Sequence, residues 1–234
     1  MTGDAAQPLC LGLIGGLGPG ATVEYYRALV KAHADQQKPL RLFLAHADMN
    51  YVVRQVKDGA KAPLAGYFAS LIGPLRAAGA QIAAVSAITP HMCVDELAAI
   101  SPLPLVDPIE ETVRKIRAQG LHRVALLGTR YIMETGLFGR LKDFDVVALA
   151  SDEVEFVHQT YTRIASEGIA AEGDYSALRS VAMTLCRRDG AQAVVLAGTD
   201  LALVFNESNT DFRHIDCTRV HIEAIMLRLF ATPQ

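Results

Sequence analysis

Short, predominantly apolar runs alternate along this chain with longer stretches in which apolar positions recur every three or four residues. The short runs cover 9–14, 40–45, 81–85, 123–127, 145–149 and 193–196, and they read as strands buried on both faces. The longer stretches cover 21–36, 64–78, 94–100, 108–119, 136–142, 154–167, 176–188 and 217–229, and they read as helices. Strands that alternate with helices predict parallel sheets joined by right-handed crossovers. The first run stops at Gly15-Gly16-Leu17-Gly18-Pro19-Gly20, a glycine-rich turn between strand and helix. Asn50 and Tyr51 fall in the loop expected after the second strand.

The pattern repeats. Gly79-Ala80-Gln81 opens one apolar run and Gly190-Ala191-Gln192 opens another, an offset of 111 residues that pairs Ala87 with Gly198. Residues 11–16 match 124–129 at an offset of 113, and Val106-Asp107 matches Ile215-Asp216, each pair leading into a helix. Two similar α/β halves follow, residues 1–107 with 215–234 and residues 108–214, each a parallel sheet flanked by helices. Ligands of open parallel sheets lie outside the carboxyl ends of the strands. Two such halves facing each other place a ligand cleft between them, with Ala87 and Gly198 on opposite walls.

Composition narrows the function. Of 234 residues, 51% are hydrophobic and 20% charged, enough for a packed core, and the formal net charge of -3 leaves no basic footprint for nucleic acid. No apolar run reaches the roughly 18 residues of a membrane span, and Met1 to Pro8 is short and polar, unlike a secretory leader. The four cysteines lie far apart with no metal-ligand or disulfide spacing, so a cytoplasmic protein without metal or organic cofactor is expected.

The candidate groups cluster where the two halves should meet. Main-chain amides of Gly16, Leu17 and Gly18, at the start of a helix, suit a carboxylate. Thr89 and Thr199 are equivalent hydroxyls beyond two strand ends, suited to binding a carboxylate or to capping the next helix. His91 and Asp200 are the titratable groups beside them, each equally readable as helix-start structure. Cys217 is a thiol at a helix start, where a thiol can acidify, and Cys93, six residues beyond Ala87, falls inside a helix with its sulfur expected to point elsewhere; free cysteine is most often a buried hydrophobe.

These residues resemble the cofactor-independent aspartate/glutamate racemases, with their hydantoin-racemase and arylmalonate-decarboxylase relatives. Ile14 to Thr22, followed by Tyr25-Tyr26, is similar to the family's GGMGPxAT start, and Leu126 to Met133 to its LLGTxxTM stretch. Ala87-Ile88-Thr89-Pro90-His91 stands where the family has Cys-Asn-Thr-Ala-His, and Ala197 to Leu201 where it has Gly-Cys-Thr-Glu-Leu. Asp216 to His221 matches the closing D-x-T-x-x-H.

The resemblance implies an isomerase of amino-acid metabolism, a homodimer, with a small amino acid or carboxylate held by Gly16, Leu17, Gly18, Asn50, Ala87, Ile88, Thr89, Thr129, Gly198 and Thr199. It also implies two thiols, one on each face of the substrate α-carbon, acting as base and acid. Both thiol positions are vacated here by Ala87 and Gly198. The catalytic candidates are then His91, Thr199 and Asp200, and the reaction becomes one-sided, a decarboxylation, elimination or isomerisation. The other reading is a carboxylate-binding protein without turnover. The vacated volume is expected to hold water or a substrate group, and Ala87→Cys with Gly198→Cys to return racemisation.

Overall fold

A computed structural model describes residues 7–231; most of the N-terminal segment read above as no leader lies outside the described residues. The chain runs through β1 (Leu11–Gly15), α1 (Pro19–Asp35), β2 (Leu42–His46), α2 (Met49–Lys57), α3 (Lys61–Ala77), β3 (Ile82–Val85), a 3₁₀ turn at Thr89–Cys93 and α4 (Val94–Ile100). It continues through α5 (Pro108–Ala118), β4 (Arg123–Leu127), α6 (Arg130–Thr135), β5 (Asp145–Val147), α7 (Ser151–Glu167) and α8 (Asp174–Arg187). It ends with β6 (Ala193–Leu196), a 3₁₀ turn at Thr199–Leu203, β7 (His214–Asp216) and α9 (Cys217–Phe230).

Two parallel sheets form, ordered β2-β1-β3 and β5-β4-β6-β7, and a bridge from Ala83 to Leu105 gives the first a rudimentary fourth position. The orders are the same once β1 is set on β4, β2 on β5 and β3 on β6. The paired Gly-Ala-Gln segments show why the repeat exists. Gln81 Oε1 accepts the Cys10 N–H at 3.0 Å, and Gln192 Oε1 accepts those of His122 and Arg123 at 2.7 and 3.0 Å. Each glutamine satisfies main-chain donors at the start of the neighbouring central strand, where no ladder bond reaches.

The helices cross over between the halves. From α5, Ile109, Val113 and Ile116 pack into the core of the second sheet. From α9, Ala224, Ile225 and Leu229 pack with Leu11, Leu13, Ile82 and Ala84 of the first. Asp107 and Asp216 start these helices alike, accepting the Ile109 and Thr218 N–H groups, each at 2.8 Å. Short β7, which straddles the expected boundary at residue 215, stays hydrogen-bonded to β6.

Four local expectations need correction. The run 40–45, expected as a strand buried on both faces, forms the edge strand β2, with Phe43 and Leu44 exposed. The helix expected over 136–142 is absent, because Gly136 is the left-handed stop of α6 (φ 59°) and Leu137 and Phe138 also have positive φ. The expected loop at Asn50 and Tyr51 is instead α2, started by Asp48, whose carboxylate accepts the Tyr51 N–H at 3.1 Å. The strand expected over 145–149 ends at Val147.

Candidate functional site

The carboxyl ends of the strands meet in a two-by-two arrangement. The turn after β1 touches the turn after β6, where Ala21 N–H donates to Asp200 Oδ1 at 3.0 Å. The turn after β3 touches the turn after β4, where the Thr89 and Thr129 hydroxyls lie 3.3 Å apart. Since β1 matches β4 and β3 matches β6, these two contacts are images of each other across a pseudo-twofold. The sequence-predicted residues of both halves therefore come together, Asn50 apart, which is exposed on α2.

The glycine-rich turn is already occupied. Thr22 Oγ1 accepts the Gly16 N–H and donates to the Gly18 carbonyl, both at 3.0 Å, which closes the loop on itself. No side chain of its own segment caps α1; the cap is Asp200, from the other half of the chain. A β-carbon on Gly18 would sit 2.9 Å from Asp200 Oδ1, and Gly18 has φ 127°, so both space and backbone require glycine there. Asp200 is fully buried, and that burial pushes its carboxyl up to about 6 against the Ala21 hydrogen bond that favours the anion. Asp200, expected as a catalytic candidate, is thus the resident anion of the loop expected to hold substrate.

The wall at Gly198 is rebuilt. Gly198 has ordinary extended backbone (φ -138°, ψ 123°), so conformation does not demand glycine. Space does: a β-carbon would lie 2.6 Å from Tyr161 Cζ and 2.9 Å from Cδ2. The ring of Tyr161, carried on α7, fills the volume expected to be vacant. Burial and the charge of Asp200 hold its phenol well above its ordinary value, with the Thr199 hydroxyl and the main-chain amides of Thr199 and Asp200 pulling the other way. On the opposite wall Ala87 is 5% exposed and carries no polar group.

Behind these walls runs a buried polar chain. His221 Nε2–H donates to the Val106 carbonyl at 2.9 Å, which leaves Nδ1 to accept the Tyr25 hydroxyl at 2.8 Å. Burial, reinforced by the neighbouring His91, lowers His221 to about 3, so the ring is neutral. His91 lies edge-on to His221 at 6.3 Å between centroids, with Nδ1 buried and unpartnered. Burial lowers His91 as well.

Other expectations fall away. The side chains of Leu17 and Ile88 are core, Ile88 within the second half, so only their main-chain groups face the cleft. Cys93 and Cys217 are buried at 1% and 0% exposure, and burial pushes each thiol up to about 12, the reverse of helix-start acidification. An open groove of about 1220 Å³ between α1 and α9 contains none of the predicted site residues. Among the described residues no group of three or more His, Cys, Asp or Glu side chains could hold a metal, and no helix is long and apolar enough to cross a membrane.

Residues 14–225 match the family model of Asp/Glu/hydantoin racemases. The chain belongs to that family. A candidate Asp/Glu racemase from Yersinia pestis is 28% identical, covers 94% of this chain with 99% of its own, and superposes with a TM-score of 0.80. An aspartate racemase from Picrophilus torridus (21% identical, 93% of both chains, TM-score 0.73) shares the fold. So does glutamate racemase from Francisella tularensis, solved with D-glutamate (13% identical, 95% of this chain and 81% of that one, TM-score 0.64). This Asp/Glu/hydantoin racemase family member thus has the fold expected of two parallel α/β halves.

Sequence reasoning missed Tyr161 and the place of Tyr25 in the buried chain. Tyr161 sits mid-helix among ordinary amphipathic positions, and no local pattern marks it. The indirect signal was Gly198 itself, a glycine at a strand end with no turn to make.

Proposed function

We propose that this racemase-family protein acts on a small amino acid or related carboxylate by proton transfer at one face of a carbanionic or enediolate carbon, without cofactor and without thiol-to-thiol inversion. One observation carries the reading. The two strand ends related by the pseudo-twofold are chemically unequal, Ala87 having no ionisable group while Gly198 is packed against the Tyr161 ring. Inversion needs a proton carrier on each face; decarboxylation, elimination or isomerisation needs one. The Thr89–Thr129 hydroxyl pair leaves polar groups beside Ala87 to hold a carboxylate.

Calorimetric titration with aspartate, glutamate, malate and phenylmalonate, followed by proton NMR in deuterium oxide, tests this. Deuterium incorporation or a decarboxylated product without racemisation is the expected result. Racemisation at family-like efficiency, or no product from any of the four, would count against it. A second reading, ligand binding without turnover, is favoured by Asp200 and Tyr161 occupying donors that a substrate carboxylate would otherwise use. Binding without product distinguishes it.

A further inference from the structure

We propose that Tyr161 is the proton donor of the second wall, a phenol working from the place left by a thiol. The proposal rests on the one-face reading above and assigns that face its acid.

Position comes first. The ring lies against Gly198 so closely that any larger residue there would collide with it, and the extended backbone of Gly198 leaves room for the ring as the reason for glycine. Tyr161 therefore stands at the same strand end as Thr199, inside the junction of the two halves, at 7% exposure.

The surroundings suit a donor. The Thr199 hydroxyl and the main-chain amides of Thr199 and Asp200 favour the phenolate, while burial and the Asp200 charge, the larger influences, oppose it. Fixed dipoles aimed at a developing oxyanion are the commonest large contribution to catalysis. In the resting state burial and the Asp200 charge keep the phenol neutral, so its proton is present throughout the physiological range. The Thr199 hydroxyl also lies 3.5 Å from Asp200 Oδ2.

Other groups are badly placed for this task. The Asp200 carboxylate is turned to the α1 amide. His91 is buried edge-on to His221, on the Ala87 side of the junction. Cys217 and Cys93 are buried in the cores.

The step balances with water alone. When a malonate-type diacid loses carbon dioxide, the C–C bond breaks and its electron pair stays on the α-carbon as an enediolate. That pair takes the Tyr161 hydroxyl proton; a C–H bond forms, the O–H bond breaks, and the charge passes to the phenol oxygen. A solvent proton then restores the phenol.

The test compares wild type, Tyr161→Phe and Thr199→Val with the same four probes, measuring binding by calorimetry and product or deuterium incorporation by NMR. Thermal melting checks that each variant folds. Tyr161→Phe is expected to bind within about threefold of wild type and to form product ~10² to 10⁴-fold more slowly. Thr199→Val, which removes one group favouring the phenolate, should show a smaller loss and an altered alkaline limb of the pH profile. A Tyr161→Phe protein as active as wild type would overturn the donor assignment while leaving the one-face reading intact. Tighter binding by Tyr161→Phe with no wild-type product would make the phenol a plug and overturn it. No wild-type product at all would remove both.

Discussion

The ring of Tyr161 and the missing side chain of Gly198 are one fitted pair: a β-carbon on Gly198 would lie 2.6 Å from Tyr161 Cζ. Ala87→Cys adds only a sulfur to an existing β-carbon. Gly198→Cys drives a side chain into an aromatic ring, and overpacking of this kind costs about 1–3 kcal/mol. The Ala87→Cys/Gly198→Cys double variant is therefore expected to melt earlier than wild type and not to racemise. Adding Tyr161→Ala makes room for the second sulfur. Chiral chromatography of aspartate and glutamate should show inversion in the triple variant alone, and inversion by the double variant would refute the steric account.

Asp200 gives stability a pH dependence of unusual sign. Its folded value of about 6 lies above the ordinary carboxylate value of 3.8, so ionisation is harder in the folded state. Its contribution is fully present below about pH 4 and is lost as pH rises through 6, about 3 kcal/mol in all. His221, lowered to about 3 from 6.5, acts oppositely: its contribution is present above 6.5 and is lost as pH falls. The two slopes oppose each other between pH 4 and 6. Asp200→Asn keeps an oxygen for the Ala21 amide and removes one slope. Urea unfolding should show the variant more stable than wild type at pH 7.5, with a steeper decline towards pH 4. Parallel curves for the two proteins would contradict the assignment.

Thiol chemistry should be nearly silent in the folded protein. Cys10, Cys93 and Cys217 are each at most 1% exposed, and burial raises all three thiols. Cys186, half-buried, is the accessible one. An aromatic disulfide reagent at pH 8 should titrate about one thiol quickly and the others only on unfolding. Fast modification of Cys93 or Cys217 would reopen both as candidate bases.

Two glycine-to-alanine changes should differ in sign. Gly18 combines φ 127° with a near contact to Asp200, so Gly18→Ala is expected to destabilise by about 1–3 kcal/mol. Gly66 lies exposed within α3 with nothing within 4 Å of a new β-carbon, so Gly66→Ala should stabilise by roughly 0.5–1 kcal/mol. Denaturant midpoints at one pH settle both.

Much of this architecture was written in periodicity. The short apolar runs 82–85 and 193–196, bounded by glycine, read as strands covered on both faces, and the Gly-Ala-Gln start they share carries a hydrogen-bonding role that recurs in space. Short elements were harder. The three residues of β7 are too few to show a period, and α6 is hidden by Gly136, which looks like a helix start until its positive φ marks a stop. The site was legible as a set of residues at the strand ends. What each one faces was not, because Tyr161 reaches Gly198 and Asp200 reaches Ala21 across long separations in sequence that no local pattern encodes.

The exchange of α5 and α9 between the sheets has a consequence for how this protein is made. A ribosome that has released residues 1–107 has delivered three strands whose apolar residues Leu11, Leu13, Ile82 and Ala84 still lack the cover of α9. That cover is synthesised last, more than a hundred residues later. Early in translation the first sheet must wait with one face open, and the molecule closes only when its final helix emerges. Neither half should survive as a separate fragment, yet the two should reassemble when co-expressed as 1–107 and 108–234.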